Sequence, residues 1–214
     1  MIRHIIRNLP GNTSGMSSAE FAMVLPLLLI FLFGMVDTGR FLWEFNEAEK
    51  ATQVGARMAI VTNVLSPGLR DEDYAGKTFG GKVLKPGDSI PAAALDTMVC
   101  NSAGCSCPNG NGACPDPGTF DSATFSTLVT RMKQIYPAIE SENVEVRYSG
   151  SGFGTAATPS VGAGPEVMEI SPLVTVSLKD MQFRPITTYL FATINMPTFS
   201  TTLSSEDASG TFSN

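Results

Sequence analysis

Histidine, tryptophan and basic residues are scarce in this chain. Of 214 residues, one is histidine (His4) and one is tryptophan (Trp43), and 14 basic residues stand against 20 acidic ones, a net charge of -6. With histidine confined to the first few residues, Ser-His-Asp and Cys-His nucleophiles and histidine metal sites are not expected. An acidic chain also lacks the clustered lysines and arginines that bind phosphate backbones, so nucleic acid is not an expected partner.

Phosphate-binding loops are missing as well, since the sequence contains neither GxGxxG nor GxxxxGK[ST]. Carboxylates do come in pairs, Asp71 with Asp73 and Glu140 with Glu142. Such pairs can do acid–base chemistry or hold calcium, but they more often solvate a surface. We therefore expect no enzyme, no cofactor and no metal.

What the chain does have is one long apolar run, Phe21 to Val36, which reads FAMVLPLLLIFLFGMV. As a helix this run reaches roughly 24 Å, which is short of a hydrocarbon core of about 30 Å. Extension through Trp43 gives a workable span with an interfacial aromatic, and brings Asp37 and Arg40 to the lipid boundary. We expect these two charges to pair along the helix rather than to perform chemistry.

The apolar run has two alternative interpretations, a cleaved secretory signal and a buried core helix. The residues after it, Asp37-Thr38-Gly39-Arg40, do not form a small-x-small cleavage site, which weakens the signal interpretation.

The helical pattern continues beyond the run and predicts one helix from about Ser18 to Leu65, with a kink or loosening at Pro26. Ser66-Pro67-Gly68 then stops it. Apolar residues recur at mostly three- and four-residue steps on one face: Phe41, Phe45, Ala48, Val54, Met58, Val61 and Leu65. Charged and polar residues fill the other face, so the second half of the helix is expected to pack on its own domain or on sister helices.

Several short motifs surround the apolar run in a characteristic order. A basic leader ends in Gly15, and Glu20-Phe21 follows after four residues. Gly39-Arg40 and Gly55-Ala56-Arg57 come after the run. This order resembles the TadE-like family of tight-adherence (Flp, type IVb) pilus-assembly pseudopilins. Three later segments are similar to that family's closing strands: VRY at 146–148, VTVSL at 174–178 and Phe183-Arg184-Pro185.

The resemblance implies a minor pilin-like subunit that a prepilin peptidase cuts between Gly15 and Met16, with Phe21 as part of the processing motif. Its implied partners are other pilin-like subunits, both minor and major pilins, together with the prepilin peptidase, membrane lipid and the inner-membrane assembly platform. Cleavage would create an α-amino group on Met16 one helical turn before Glu20. Because an unpaired carboxylate near hydrocarbon costs roughly 2.5 kcal/mol or more, we expect this ammonium to pair with Glu20, within one chain or between neighbours.

We expect three parts: a leader at 1–15, a transmembrane and amphipathic helix at 16–65, and a periplasmic globular domain at 66–214. The fold class is α+β and pilin-like, with the long N-terminal helix packed on a small antiparallel sheet. Gly- and Pro-rich loops are expected at Asp96–Gly118 and Ser149–Gly164. The remaining predicted elements are a helix at Ser122–Tyr136 and strands at Asn143–Tyr148, Val167–Leu178 and Ala192–Leu203.

All four cysteines, Cys100, Cys105, Cys107 and Cys114, lie in the first of these loops. Their spacing of four, one and six intervening residues lacks the paired C-x2-C elbows of zinc sites, which favours two disulfides in an oxidising compartment. A Cys105–Cys107 bridge would close a very tight ring, so one of the other two pairings is expected.

These observations favour a bacterial inner-membrane subunit of a pilus, single-pass, with its C-terminal domain in the periplasm and possible incorporation into the pilus. One alternative is a permanently anchored single-pass protein whose disulfide-bonded domain binds a ligand or surface. A more distant one is a membrane-tethered enzyme. The sequence does not distinguish between a priming, a capping and a regulatory role for the subunit.

Overall fold

A computed structural model describes residues 16–108, 114–156, 168–187 and 192–205, with no side-chain description for Met16 and Ser17. The chain divides into two compact units. The helix unit consists of Met1–Trp43 and Phe183–Ile194, and the sheet unit of Glu44–Gln182 and Asn195–Asn214. The predicted leader, including Gly15, lies outside the described residues.

Three α-helices are described: α1 (Met16–Val61), α2 (Pro67–Arg70) and α3 (Ser122–Lys133). Helix α1 is continuous through Pro26 and ends four residues before the predicted Leu65. Helix α3 begins after Asp121, whose carboxylate accepts hydrogen bonds from the N–H groups of Ala123 and Thr124. This satisfies donors that a helix start otherwise leaves unpaired.

The sheet unit is built on a five-stranded sheet in the order β4-β3-β5-β6-β9, and every neighbouring pair is antiparallel. Two further sheets, β1-β2 and β7-β8, have two strands each. The strands are β1 (Thr78–Phe79), β2 (Lys82–Val83), β3 (Met98–Asn101), β4 (Gly104–Ser106), β5 (Val144–Ser149), β6 (Leu173–Leu178), β7 (Gln182–Phe183), β8 (Ile194–Asn195) and β9 (Phe199–Ser204).

One face of the central sheet carries the core. Alternate residues of β5 are buried, and their partners across the β5–β6 ladder are buried too. The matched pairs are Val144 with Leu178, Val146 with Val176, and Tyr148 with Val174. Period-two burial of this kind is what a strand with one covered face requires.

The second half of α1 packs in the sheet unit through small side chains. A Cβ at Gly55 would lie 2.8 Å from Met132 Sδ of α3 and 3.2 Å from Val176 Cγ1 of β6. The Thr52 and Thr201 hydroxyls are 3.1 Å apart. Most of the buried face of this half is small: Ala48, Ala51, Thr52, Gly55, Ala56 and Ala59. Because these side chains are small, the helix lies close to α3 and β6.

The α+β fold class is confirmed, and the following five details of the prediction were wrong. The loop predicted at Asp96–Gly118 contains the hairpin β3–β4. Val61, assigned to the buried face of α1, is 37% exposed. The strand predicted to begin at Val167 begins at Leu173, and the one predicted at Ala192–Leu203 divides into β8 and β9. The helix predicted to reach Tyr136 ends at Lys133.

Candidate functional site

The start of α1 carries the predicted processing and assembly residues. The helix begins at Met16, Glu20 is exposed, and Phe21 is 65% exposed. Gly15 lies outside the described residues, and the α-amino group of Met16 exists only after cleavage. Both the cut and the Met16–Glu20 charge pair therefore stay predictions.

The apolar run that follows is exposed along its length. Helix α1 is the one helix among the described residues that is long and apolar enough to cross a membrane. Its most apolar 18-residue stretch has a mean hydropathy of 2.3 and is not buried in the protein. A buried core helix is excluded by this exposure. Water solvates so much apolar surface poorly, which fits a helix whose surroundings are lipid.

Asp37, the first charged residue after the run, is buried although the helix around it is exposed, with only 6% of its surface accessible. Its carboxylate accepts three hydrogen bonds from the segment after β7: Ile186 N–H at 2.7 Å, Thr187 N–H at 3.1 Å and the Thr187 hydroxyl at 2.8 Å. These contacts lie within the helix unit. Asp37 therefore fixes residues 186–187 against α1 at the end of the apolar run.

The predicted pairing of Asp37 with Arg40 is confirmed, at 3.4 Å between Oδ1 and Nη1. The Arg40 guanidinium also lies 5.4 Å from the ring centroid of Phe183 and donates to the Arg184 carbonyl at 3.5 Å. Phe183 in turn packs edge-on against Phe41, with ring centroids 5.4 Å apart. An ion pair, a cation–π contact and an edge-on aromatic pair therefore lie together at Asp37 and Arg40.

A groove of about 690 Å³ opens beside this cluster within the helix unit. On the helix side it is lined by Gly34, Asp37, Thr38 and Phe41, and its other wall includes Phe183, Pro185 and Ile194. Its lining is largely apolar. Sequence reasoning missed the groove and the 186–187 contacts, because Thr187 is 150 residues from Asp37 and no local pattern marks it.

The four cysteines form two disulfides, Cys100–Cys105 and Cys107–Cys114. This is one of the two pairings that the spacing left open. Cys100 and Cys105 face each other in the β3–β4 register, and Cys100 is fully buried. The bridges also remove the thiolates that a zinc site would need.

Three of the four paired carboxylates have structural partners. Asp71 binds Arg70, Asp73 accepts from the Ala75 N–H, and Glu140 binds Lys133. The Asp71 pKa is lowered, chiefly by the hydrogen bond from Arg70. Within the described ranges no group of three metal-ligating side chains comes together.

Comparison with protein families identifies the N-terminal segment. Residues 15–57 match the family model described as TadE-like protein. Searches of curated proteins and of solved structures found no significant match. The matched segment contains Glu20, the whole apolar run, Asp37, Arg40 and Gly55. Residues 15–57 of this chain are therefore similar to TadE-like proteins, and the match does not extend over the rest of the chain.

Proposed function

We propose that this protein is a minor pseudopilin, a structural and non-catalytic subunit in the biogenesis of a tight-adherence pilus. The observation that carries the proposal is the division of α1. Its first half exposes its large apolar side chains, and its second half packs against the sheet and α3. A helix of this kind joins a membrane to a folded domain, and the TadE-like match covers most of it.

The two disulfides support a periplasmic position for the sheet unit. Disulfides persist in oxidising compartments and are rare in the cytoplasm, where thiols are kept reduced. Both bridges lie in the sheet unit, so the proposed topology is a single-pass protein of the bacterial inner membrane with that unit outside the cytoplasm. The proposed partners are other pilin-like subunits, the prepilin peptidase and the assembly platform.

The proposed assembly contact is the ion pair between Glu20 and the α-amino group that cleavage creates on Met16. Glu20 is exposed at the membrane end of α1, where an unpaired carboxylate is costly. Within one chain the ammonium lies about one helical turn away. Between chains the same pair would set the axial register of bundled helices.

Processing and assembly are tested separately. Amino-terminal sequencing of the parent is expected to begin at Met16, and Gly15→Trp is expected to retain the leader. A parent that keeps Met1 would contradict the pseudopilin proposal and favour the permanently anchored ligand-binding protein.

For assembly, Glu20→Gln is expected to be cleaved and inserted normally but to copurify poorly with sister subunits and to reduce piliation. The matched control is Glu49→Gln, which changes an exposed glutamate further along the same helix. If the Glu20 variant copurifies and supports piliation as well as the parent and the control do, Glu20 is only a boundary residue.

A further inference from the structure

The groove of the helix unit has the chemistry of a site for an amphiphile with one polar end. Its lining is largely apolar, and its charged group is Asp37, at the end of the apolar run. Arg40 does not line the groove itself, but its guanidinium pairs with Asp37, which does, and keeps 42% of its side-chain surface exposed. A guanidinium carries five N–H donors, so it can serve a phosphate as well as a carboxylate.

The position of the groove selects lipid as the occupant. Gly34, which lines it, lies inside the apolar run, and Met35 and Val36 beside it are 53% and 45% exposed. On the other wall, Ile194 is 45% exposed. A bilayer that covers these side chains also covers the open side of the groove, and acyl chains are the apolar groups that it supplies there.

We propose that the groove binds one bilayer phospholipid, with an acyl chain along Gly34 and Phe41 and the phosphate at Arg40. Asp37 is the positioning residue, because its bonds to residues 186–187 hold one wall of the groove against the helix. The proposal rests on the membrane insertion proposed above and is independent of the pilus role. It gives the anchor a specific lipid contact where the span meets the headgroups.

Two glycines of α1 allow a matched test. A Cβ at either Gly34 or Gly39 would meet nothing within 4 Å, so both positions have open space where a side chain would start. Only Gly34 lines the groove. Gly34→Leu therefore fills the site, while Gly39→Leu adds the same side chain to the same helix elsewhere.

The full chain would be reconstituted in phosphatidylethanolamine–phosphatidylglycerol liposomes, extracted in mild detergent and measured by native mass spectrometry. The parent and Gly39→Leu are expected to retain one phospholipid per chain. Gly34→Leu is expected to lower its occupancy at least ten-fold, and Arg40→Gln several-fold. Circular dichroism checks the secondary structure of each variant, and the intact mass of the protein checks that both disulfides have formed.

Equal lipid retention by Gly34→Leu and the parent overturns the proposal, and so does a parent that inserts but retains no lipid. A parent dimer without lipid, broken by Gly34→Leu, would assign the groove to a second copy and overturn it as well. A chain that fails to insert at all overturns both this proposal and the membrane anchorage. A chain that binds lipid but does not support piliation contradicts only the proposed function.

Discussion

At the scale of single residues, Tyr148 shows how one buried hydroxyl stabilises the chain after α1. Its oxygen accepts a hydrogen bond from the Leu65 N–H at 3.2 Å, and its side chain is 1% exposed. Burial raises the pKa of Tyr148 to about 12, so the phenol stays neutral at physiological pH. The tyrosine of the VRY segment therefore links β5 to the turn that follows the helix.

Tyr148→Phe is expected to lower the free energy of unfolding by about 1–3 kcal/mol, because it leaves a buried N–H without an acceptor. Tyr74→Phe is the matched control, since the Tyr74 hydroxyl is buried and has no hydrogen-bond partner among the described residues. That control should be neutral or stabilising. Urea unfolding of the full chain in detergent measures both, and equal losses would contradict the role given to the Leu65 contact.

At the scale of elements, the two glycines in the TadE-like motifs of α1 have different surroundings. Gly39 has open space where a Cβ would stand, whereas Gly55 faces Met132 and Val176 at contact distance or closer. The Gly55-Ala56 pair is therefore a packing requirement of the sheet unit. The helix half that carries it has no room for larger side chains on this face.

Gly55→Leu is expected to destabilise the protein by about 1–3 kcal/mol through overpacking. Gly39→Leu should be neutral or stabilising by up to about 1 kcal/mol, because leucine favours the helix more than glycine does. Thermal unfolding followed by the far-ultraviolet signal compares the two. Tolerance of leucine at Gly55 would show that α3 and β6 yield more readily than their packing indicates.

At the scale of the whole molecule, the two disulfides cross-link the sheet unit and favour an oxidising compartment for it. Cys100–Cys105 joins two neighbouring strands, and Cys107–Cys114 closes the segment that follows them. Cross-links that close such short loops stabilise a protein mainly by restricting the conformations of its unfolded chain.

Reduction is expected to cost about 2 kcal/mol per bridge, while the long helix persists. Intact mass without reductant should be lower by two hydrogens per bridge than the fully reduced mass, with no bound zinc. Calorimetry with and without reductant measures the loss of stability. Metal held by four free thiols would contradict both the bridges and the periplasmic placement.

Local patterns predicted the elements whose signals are local. The continuous apolar run and the helical period beyond it predicted α1 as one helix. Apolar and β-branched residues predicted β5 and β6, and the three-residue spacing on a helix predicted the Asp37–Arg40 pair. The cysteine spacings indicated bridges but left two pairings open. The tertiary structure decides between these two pairings, because the β3–β4 register places Cys100 directly opposite Cys105.

The sequence by itself determined that this protein has a long apolar helix with a TadE-like motif, because composition and periodicity act over a few residues. The structure then showed that this helix is exposed. Only the tertiary structure decided where Asp37 finds its partners and that a groove opens beside it. The Ile186 N–H that Asp37 binds lies 149 positions along the chain. Contacts at that separation depend on how β7 and β8 return the chain to α1, and no local pattern of residues encodes that path.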